Sequence, residues 1–204
     1  MNTVFQFIHG GGVMMYPLIA CSILLIALAI ERFIMLRKAN GDGDELLDSV
    51  KANYPANAGA AVEFCEKHGG ALGRVFSRGL KNAHRSADAI EMAMEQEASN
   101  ELPNLDANLP IIKTIVNISP LLGLLGTIAG MIQSFRVASQ AGLSNPTQIL
   151  GGISEALIST ATGITLAVLG FVFYNYFANQ SKKIVEDIEF YGAELVNFLT
   201  DRVS

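Results

Sequence analysis

The sequence predicts an all-α membrane protein with three transmembrane helices and long helical segments outside the bilayer. Half of its 204 residues are hydrophobic, only 8% are aromatic, and there is no Trp. The mean hydropathy of +0.37 is high for a water-soluble protein but modest for one buried entirely in lipid. A polar portion of substantial size should therefore lie outside the membrane.

Long apolar runs are the first evidence for this fold class. The hydrocarbon core of a bilayer, about 30 Å thick, is crossed by roughly 20 helical residues. We assign transmembrane helices to residues 13–36, 111–135 and 153–178. The second run carries one charge, Lys113, and the third carries one charge, Glu155.

The first run also has the apolar character of a secretory signal. Such signals begin with a basic region, whereas no Lys or Arg precedes Arg32 in this sequence. We therefore expect the first run to be a retained transmembrane helix.

Basic residues near the ends of the runs predict the orientation, because cytoplasmic flanks hold an excess of Lys and Arg. One side is bordered by Arg32, Arg37, Lys38, Lys113, Lys182 and Lys183, and the other by Arg136. We therefore place the N-terminal segment 1–12 and the connection 136–152 in the periplasm. The helical domain 37–110 and the C-terminal helix 179–204 are then cytoplasmic.

The cytoplasmic segments have helical patterns. We predict one helix near Ala58 to His68, ended by Gly69-Gly70, and another from about Ser86 toward Leu102. We find no β pattern along the chain.

An apolar stripe follows the third run at helical spacing. It consists of Ile184, Ile188, Tyr191, Leu195 and Phe198. No turn signal separates it from Phe177, so the third transmembrane helix should continue into the cytoplasm as one long helix. We expect the stripe to pack against neighbouring helices. A helix lying on the membrane surface is the alternative, but its polar face is mainly acidic rather than basic.

Small residues recur on one face of each of the last two transmembrane helices. The second contains Ser119, Gly123, Gly126, Thr127, Gly130 and Ser134, and the third contains Ala156, Thr160, Gly163, Ala167 and Gly170. Small residues permit close backbone approach between helices in lipid. Tight helix packing is therefore the simplest interpretation of most of them.

Thr127 and Thr160 suggest an additional role. They lie eight and seven residues inside the periplasmic ends of their runs, so both are about 10–12 Å deep at 1.5 Å per residue. Two hydroxyls in one layer could form a polar ring if several copies of the chain surround an axis. Alternatively, each hydroxyl bonds back to the carbonyl four residues earlier in its own helix.

Glu155 is a candidate for an ion or proton pathway, because carboxylates within transmembrane helices are costly and usually functional. It lies only two residues inside the run, so a carboxylate favoured by the helix N-terminus is the alternative. Glu155 and Thr160 are five residues apart, roughly 140° around a helix. They cannot both point straight at one pore axis.

Several other classes of site find no support in the sequence. The formal net charge of −5 and the lack of a basic cluster argue against nucleic-acid binding. Cys21 and Cys65 lie in such different surroundings that we expect free thiols. His9, His68 and His84 stand alone, so no metal site is assigned. With no nucleophile–base pair or phosphate loop, we expect neither an enzyme nor a cofactor.

Two stretches carry a specific resemblance. S-P-L-L-G-L-L-G-T-I-A-G-M-I-Q-S-F at 119–135 and G-I-S-E-A-L-I-S-T-A-T-G-I-T-L-A-V-L-G-F-V-F-Y-N at 152–175 closely resemble the two core helices of the MotA/TolQ/ExbB proton-channel family. The opening G-G-V-M-x-x-P-L and closing E-R of residues 11–32 are more similar to the ExbB branch. The resemblance covers all three transmembrane helices in order.

This resemblance implies a bacterial inner-membrane motor. Family members are expected to form a homo-oligomer, a pentamer, whose second and third helices line a pore occupied by a single-span partner resembling ExbD or TolR. A TonB-like protein would receive the work. The implied proton-pathway residues are Thr127, Thr160 and Glu155. The implied helix-packing and pore-wall residues are Gly123, Gly126, Gly130, Ala156, Gly163 and Ala167.

Three readings of the function stay open at this point. The first is an ExbB-like motor subunit that energises outer-membrane transport, and the second is a TolQ-like or gliding-motility motor subunit. The third is a passive membrane scaffold, in which the small residues only hold helices together. The scaffold predicts that Thr127 and Glu155 tolerate substitution.

Overall fold

The structure, a computed structural model, describes residues 10–54, 56–141 and 146–200, and within them every regular element is a helix. The helices are α1 Met15–Ala39, α2 Gly43–Asn53, α3 Ala58–His68, α4 Gly70–Lys81, α5 Ala87–Leu105, α6 Leu109–Ala141 and α7 Pro146–Thr200. The predicted all-α class is confirmed. Parts of the predicted periplasmic and C-terminal segments, residues 1–9, 142–145 and 201–204, lie outside the described residues.

Local chemistry explains several helix boundaries. The Asp42 side chain accepts hydrogen bonds from two backbone N–H groups in the first turn of α2, at 3.1 and 3.2 Å. The Asn57 side chain caps α3 by accepting one from the Ala60 N–H. Gly70 has φ +56°, a conformation that glycine adopts without strain, and it separates α3 from α4. Pro146 stands at the first position of α7, where its missing N–H costs nothing.

The chain divides into two compact units. The apolar unit contains the chain up to Ile30 and residues 108–175, and the polar unit contains residues 31–107 and the chain from Tyr176. Helices α1, α6 and α7 are long and apolar enough to cross a membrane. Large apolar side chains such as Ile23, Leu121 and Val168 are exposed on the apolar unit, as expected for surfaces that face lipid. The three-span prediction is confirmed.

Helical structure reaches into the predicted connection 136–152 from both sides. Helix α6 continues to Ala141 and α7 begins at Pro146. Both helices therefore extend beyond their apolar runs into the flanking residues.

The polar unit has a conventional apolar core. Its buried side chains include Leu46, Val50, Leu72, Val75, Phe76, Leu80, Ile90, Met94 and Leu105. The predicted helices near 58–68 and 86–102 are found as α3 and α5, whereas α2 and α4 come in addition. Leu72, Val75, Phe76 and Leu80 recur at helical spacing, which explains why α4 is amphipathic.

Helix α7 is one uninterrupted helix from Pro146 to Thr200, as the sequence predicts. Of the apolar stripe, Ile184, Ile188 and Leu195 are 3%, 5% and 0% exposed. The stripe is thus buried within the polar unit, which confirms helix packing over a position on the membrane surface.

Two arginine side chains also connect helices within the polar unit. Arg32 is only 2% exposed and donates to the Asn104 carbonyl at 2.9 Å, joining α1 to the end of α5. Arg74 forms a bidentate ion pair with the buried carboxylate of Glu101. Glu101 raises the pKa of the Arg74 guanidinium through this hydrogen bond.

Candidate functional site

Helices α6 and α7 approach each other closely within the apolar unit. A side chain added at Gly123 would lie 3.1 Å from the Ser159 carbonyl oxygen, and one at Gly163 would overlap the Ser119 carbonyl oxygen. Gly130 faces the Gly152 carbonyl in the same way. A side chain would overlap backbone atoms at Gly130 and Gly163 and would be tight at Gly123, so the two backbones are in direct contact along this seam.

The three other predicted packing residues, two on α7 and one on α6, have different surroundings. Ala156 is buried, at 2% exposure, and its methyl group would be 3.0 Å from a side chain at Gly130. Ala167 is half-buried. Gly126 lies against the Ser159 side chain, which occupies the space that a Gly126 side chain would need.

The structure brings Thr127 and Thr160 together. Their hydroxyl oxygens are in hydrogen-bond contact across the α6–α7 seam. Thr160 also donates to the Gly123 carbonyl on α6 at 3.0 Å, while the Thr127 hydroxyl lies 3.4 Å from the Ala156 carbonyl on α7. Both side chains are half-buried.

This pairing bears on the alternative that each threonine merely bonds within its own helix. Thr127 does lie 3.4 Å from its own-helix acceptor, Gly123, but its contact with Thr160 is closer. Thr160 directs its hydroxyl across the seam. By contrast, Thr162 and Thr165 bond to their own-helix carbonyls at 2.8 Å. The two threonines of the pair are therefore distinguished from ordinary intramembrane threonines.

Ser159 belongs to the same cluster, although its residue type alone is only a weak sign of this. It is fully buried and its hydroxyl lies 3.0 Å from the Ala156 carbonyl and 3.5 Å from the Gly123 carbonyl. Its place beside Thr160 in a run of small residues is the signal that could have identified it.

Glu155 occupies a separate position near the start of α1. It is half-buried, and its carboxylate lies against Gly12, where an added side chain would overlap it. Gly12 also has φ +68°, so both space and backbone conformation favour glycine there. Among the described residues, no hydrogen bond or ion pair joins Glu155 to the threonine pair.

Lys113 is a further charged residue of the apolar unit. Its ammonium lies 5.8 Å from the centre of the Tyr174 ring on α7, within the range of a cation–π interaction. This contact holds a positive charge near the first residues of the second predicted transmembrane helix. Glu155 lies near the first residues of the third.

The fold and the site define an integral membrane protein in which two apolar helices pack through glycines around paired hydroxyl groups. The chain belongs to the MotA/TolQ/ExbB proton channel family, whose sequence profile matches residues 68–190. That range includes α4, α5, α6 and most of α7.

Similar proteins come from both the ExbB and TolQ branches. The chain is 33% identical over 170 residues to the biopolymer transport protein ExbB-like 3 of Synechocystis, covering 82% of this chain and 81% of the relative. It is 31% identical to biopolymer transport protein exbB1 of Vibrio cholerae, over 77% and 71% of the two chains. Identity to the Tol-Pal system protein TolQ of Pseudomonas aeruginosa is 34%, over 48% and 42%.

Proposed function

We propose that this chain is an ExbB-like subunit of an inner-membrane motor that uses the proton motive force to energise TonB-dependent outer-membrane transport. The observation that supports this proposal most strongly is the Thr127–Thr160 hydroxyl pair, set on a glycine seam between two apolar helices. Family membership supplies the context. We expect no enzymatic activity of the chain itself.

The chemistry of the threonine pair suggests that this chain orients groups in the pore while another polypeptide carries the proton. Hydroxyl groups orient water or a carboxylate but do not titrate at physiological pH. A proton crossing the low-dielectric core needs a titratable group or a file of water. A second polypeptide would therefore supply the central acid, which fits an ExbD-like single-span partner within a ring of five copies of this chain.

Glu155 would take a different part in the same pathway. Its carboxylate lies near the start of the third transmembrane helix and against a glycine rather than a base. We propose that it receives or releases protons at the periplasmic end, with Thr127 and Thr160 lining the pore farther in.

A TolQ-like role in a related motor is the second candidate. It is favoured by the 34% identity to TolQ of Pseudomonas aeruginosa, although the ExbB-like relatives match over a larger share of the chain. A passive scaffold would need neither the cross-helix hydroxyl pair nor Glu155.

Proton flux in liposomes tests the proposal. The purified chain would be reconstituted with an internal pH dye, alone and with a co-expressed ExbD-like protein from the same organism. We expect flux only when the partner is present, and loss of flux when the acidic residue within the partner's transmembrane segment is changed to its amide. Robust flux from the chain alone, or none with the partner, would contradict the proposal.

A further inference from the structure

A small crevice in the polar unit has the features of a phosphate site. Its volume is about 280 Å³ and it lies between the end of α1 and the middle of α7. Polar side chains of four residues line it: Arg37, Asn40, Tyr176 and Gln180. No acidic residue is among its described lining residues.

The polar groups of this crevice are available to a ligand. Within the described part of the chain, the side-chain donors of Arg37, Asn40 and Gln180 have no hydrogen bond or ion pair. A guanidinium and two amides supply several N–H donors, and Tyr176 adds a hydroxyl. Guanidinium groups bind phosphate oxygens with two parallel hydrogen bonds. The arrangement therefore matches a phosphate better than a neutral ligand.

The other wall of the crevice is apolar. Phe33, Leu36 and Phe177 complete its lining, and Leu36 and Phe177 are buried, at 4% and 3% exposure. An apolar wall would add no binding free energy for a freely dissolved phosphate. The glycerol backbone and first methylene groups of a phospholipid would be removed from water by it.

The position in the sequence points to the same ligand. Leu36 ends the first apolar run, and Tyr176 and Phe177 lie at the end of the third. Tyrosine is enriched where a transmembrane helix leaves the hydrocarbon, at the level of lipid headgroups. Basic clefts between helices at this level are suited to anionic lipids.

We infer that this crevice binds the phosphate group of an anionic membrane phospholipid, with Arg37 and Gln180 as its main donors. Its lining residues include neither the threonine pair nor Glu155, and the inference does not depend on the proposed motor function. Lys38 offers a matched comparison, because it carries the same charge on the next residue but does not line the crevice.

Retention of single lipids by the purified full-length protein tests the inference. Native mass spectrometry would count phosphatidylglycerol bound per chain after exchange into nanodiscs with and without that lipid. For R37Q we expect the retained fraction to fall about fivefold, the effect of roughly one basic contact at an anionic surface. Q180A, which removes an amide donor but no charge, should also lower the retained fraction. K38Q should retain lipid within twofold of the unmodified chain.

Three outcomes would overturn the inference. Equal loss in R37Q and K38Q would mean that only the general surface charge attracts lipid, and full retention by R37Q and Q180A together would place the lipid elsewhere. Displacement of the lipid by millimolar inorganic phosphate would assign the site to a soluble phosphate. A chain that retains lipid normally yet fails to couple proton flux would count against the proposed function alone.

Discussion

The Thr160 hydroxyl donates to the Gly123 carbonyl, 3.0 Å away on the neighbouring helix. A helical threonine usually turns to the carbonyl four residues earlier, which for Thr160 is that of Ala156. The cross-helix bond is possible because Gly123 has no side chain between the two backbones. The glycine seam and the threonine pair therefore depend on each other. A side chain at Gly123 would push the two helices apart and move the Gly123 carbonyl away from the Thr160 hydroxyl.

Thr127→Val and Thr160→Val should leave assembly intact and reduce coupled transport at least tenfold. Valine keeps the shape of threonine but cannot donate or accept a hydrogen bond. Partner-dependent proton flux in liposomes is the measurement, with the oligomer checked by native mass spectrometry. Thr165→Val is the matched control, because Thr165 is exposed and bonds only its own helix. Unchanged flux in both variants would reduce the pair to helix packing.

Gly163→Ala should destabilise the apolar unit, because the new methyl group would overlap the Ser119 carbonyl oxygen. Overpacking of this kind costs about 1–3 kcal/mol. Gly151→Ala is the control, since nothing lies within 4 Å of a side chain there. Thermal unfolding in mild detergent should show a lower midpoint for the first variant only. Equal midpoints would mean that the two helices separate easily at this point.

Glu155→Gln keeps the size of the side chain and its hydrogen-bonding capacity but removes the charge. We expect a normal oligomer with proton flux reduced about tenfold, because amides cannot accept and release protons. Flux would be measured from pH 5 to pH 8. If the variant retained full flux across this range, Glu155 would be a structural residue at a helix start.

Burial raises the pKa of the Cys65 thiol to about 11, with a smaller contribution from Glu66. Because the unfolded thiol ionises near 9.0, the native state keeps its proton longer, and stability should fall as the pH rises from about 9 to 11. Urea denaturation should show this loss in the unmodified protein and a smaller loss in Cys65→Ala. Maleimide should label Cys65 only after unfolding. Rapid labelling of the native protein would contradict its burial.

Topology can be tested with single cysteines in a cysteine-free background. The basic-flank asymmetry predicts that Ser139→Cys is reached by impermeant reagents from the periplasm. Ala60→Cys should react only after permeabilisation. Both positions are exposed in the structure, so access depends on the side of the membrane alone. The opposite pattern would reverse the proposed orientation.

Much of the fold follows from features that a sequence displays directly. Run length and charge define the three transmembrane helices, and the uninterrupted spacing from Phe177 onward predicts the length of α7. Helix α2 was also predictable, since Asp42 followed three residues later by Glu45 is a helix-start signal. It is absent from the predicted helices because the apolar pattern of that segment is short.

Other features depend on contacts between distant parts of the chain. From the sequence, Arg32 is simply a basic residue near the end of an apolar run. In the structure it is buried, and the Asn104 carbonyl, 72 residues away in the chain, accepts its hydrogen bond. Spacing places Thr127 and Thr160 at one depth but cannot fix the rotation of either helix. Their pairing required the mutual approach of two backbones, which only the fold determines.

Six hydroxyl groups on α6 and α7 outside the threonine pair share one property. Thr114, Ser119 and Ser134 on α6, and Ser159, Thr162 and Thr165 on α7, all have a backbone carbonyl acceptor. A hydroxyl has a single hydrogen to donate, so each of these groups can offer an approaching molecule only its oxygen lone pairs. Ser119, Ser134 and Ser159 are buried, so only the threonines of this set can be reached by an approaching molecule. Those threonines would accept hydrogen bonds from water or a protonated carboxylic acid but would donate none to chloride. The free donor capacity of the apolar helices is thus lower than their number of hydroxyl groups implies.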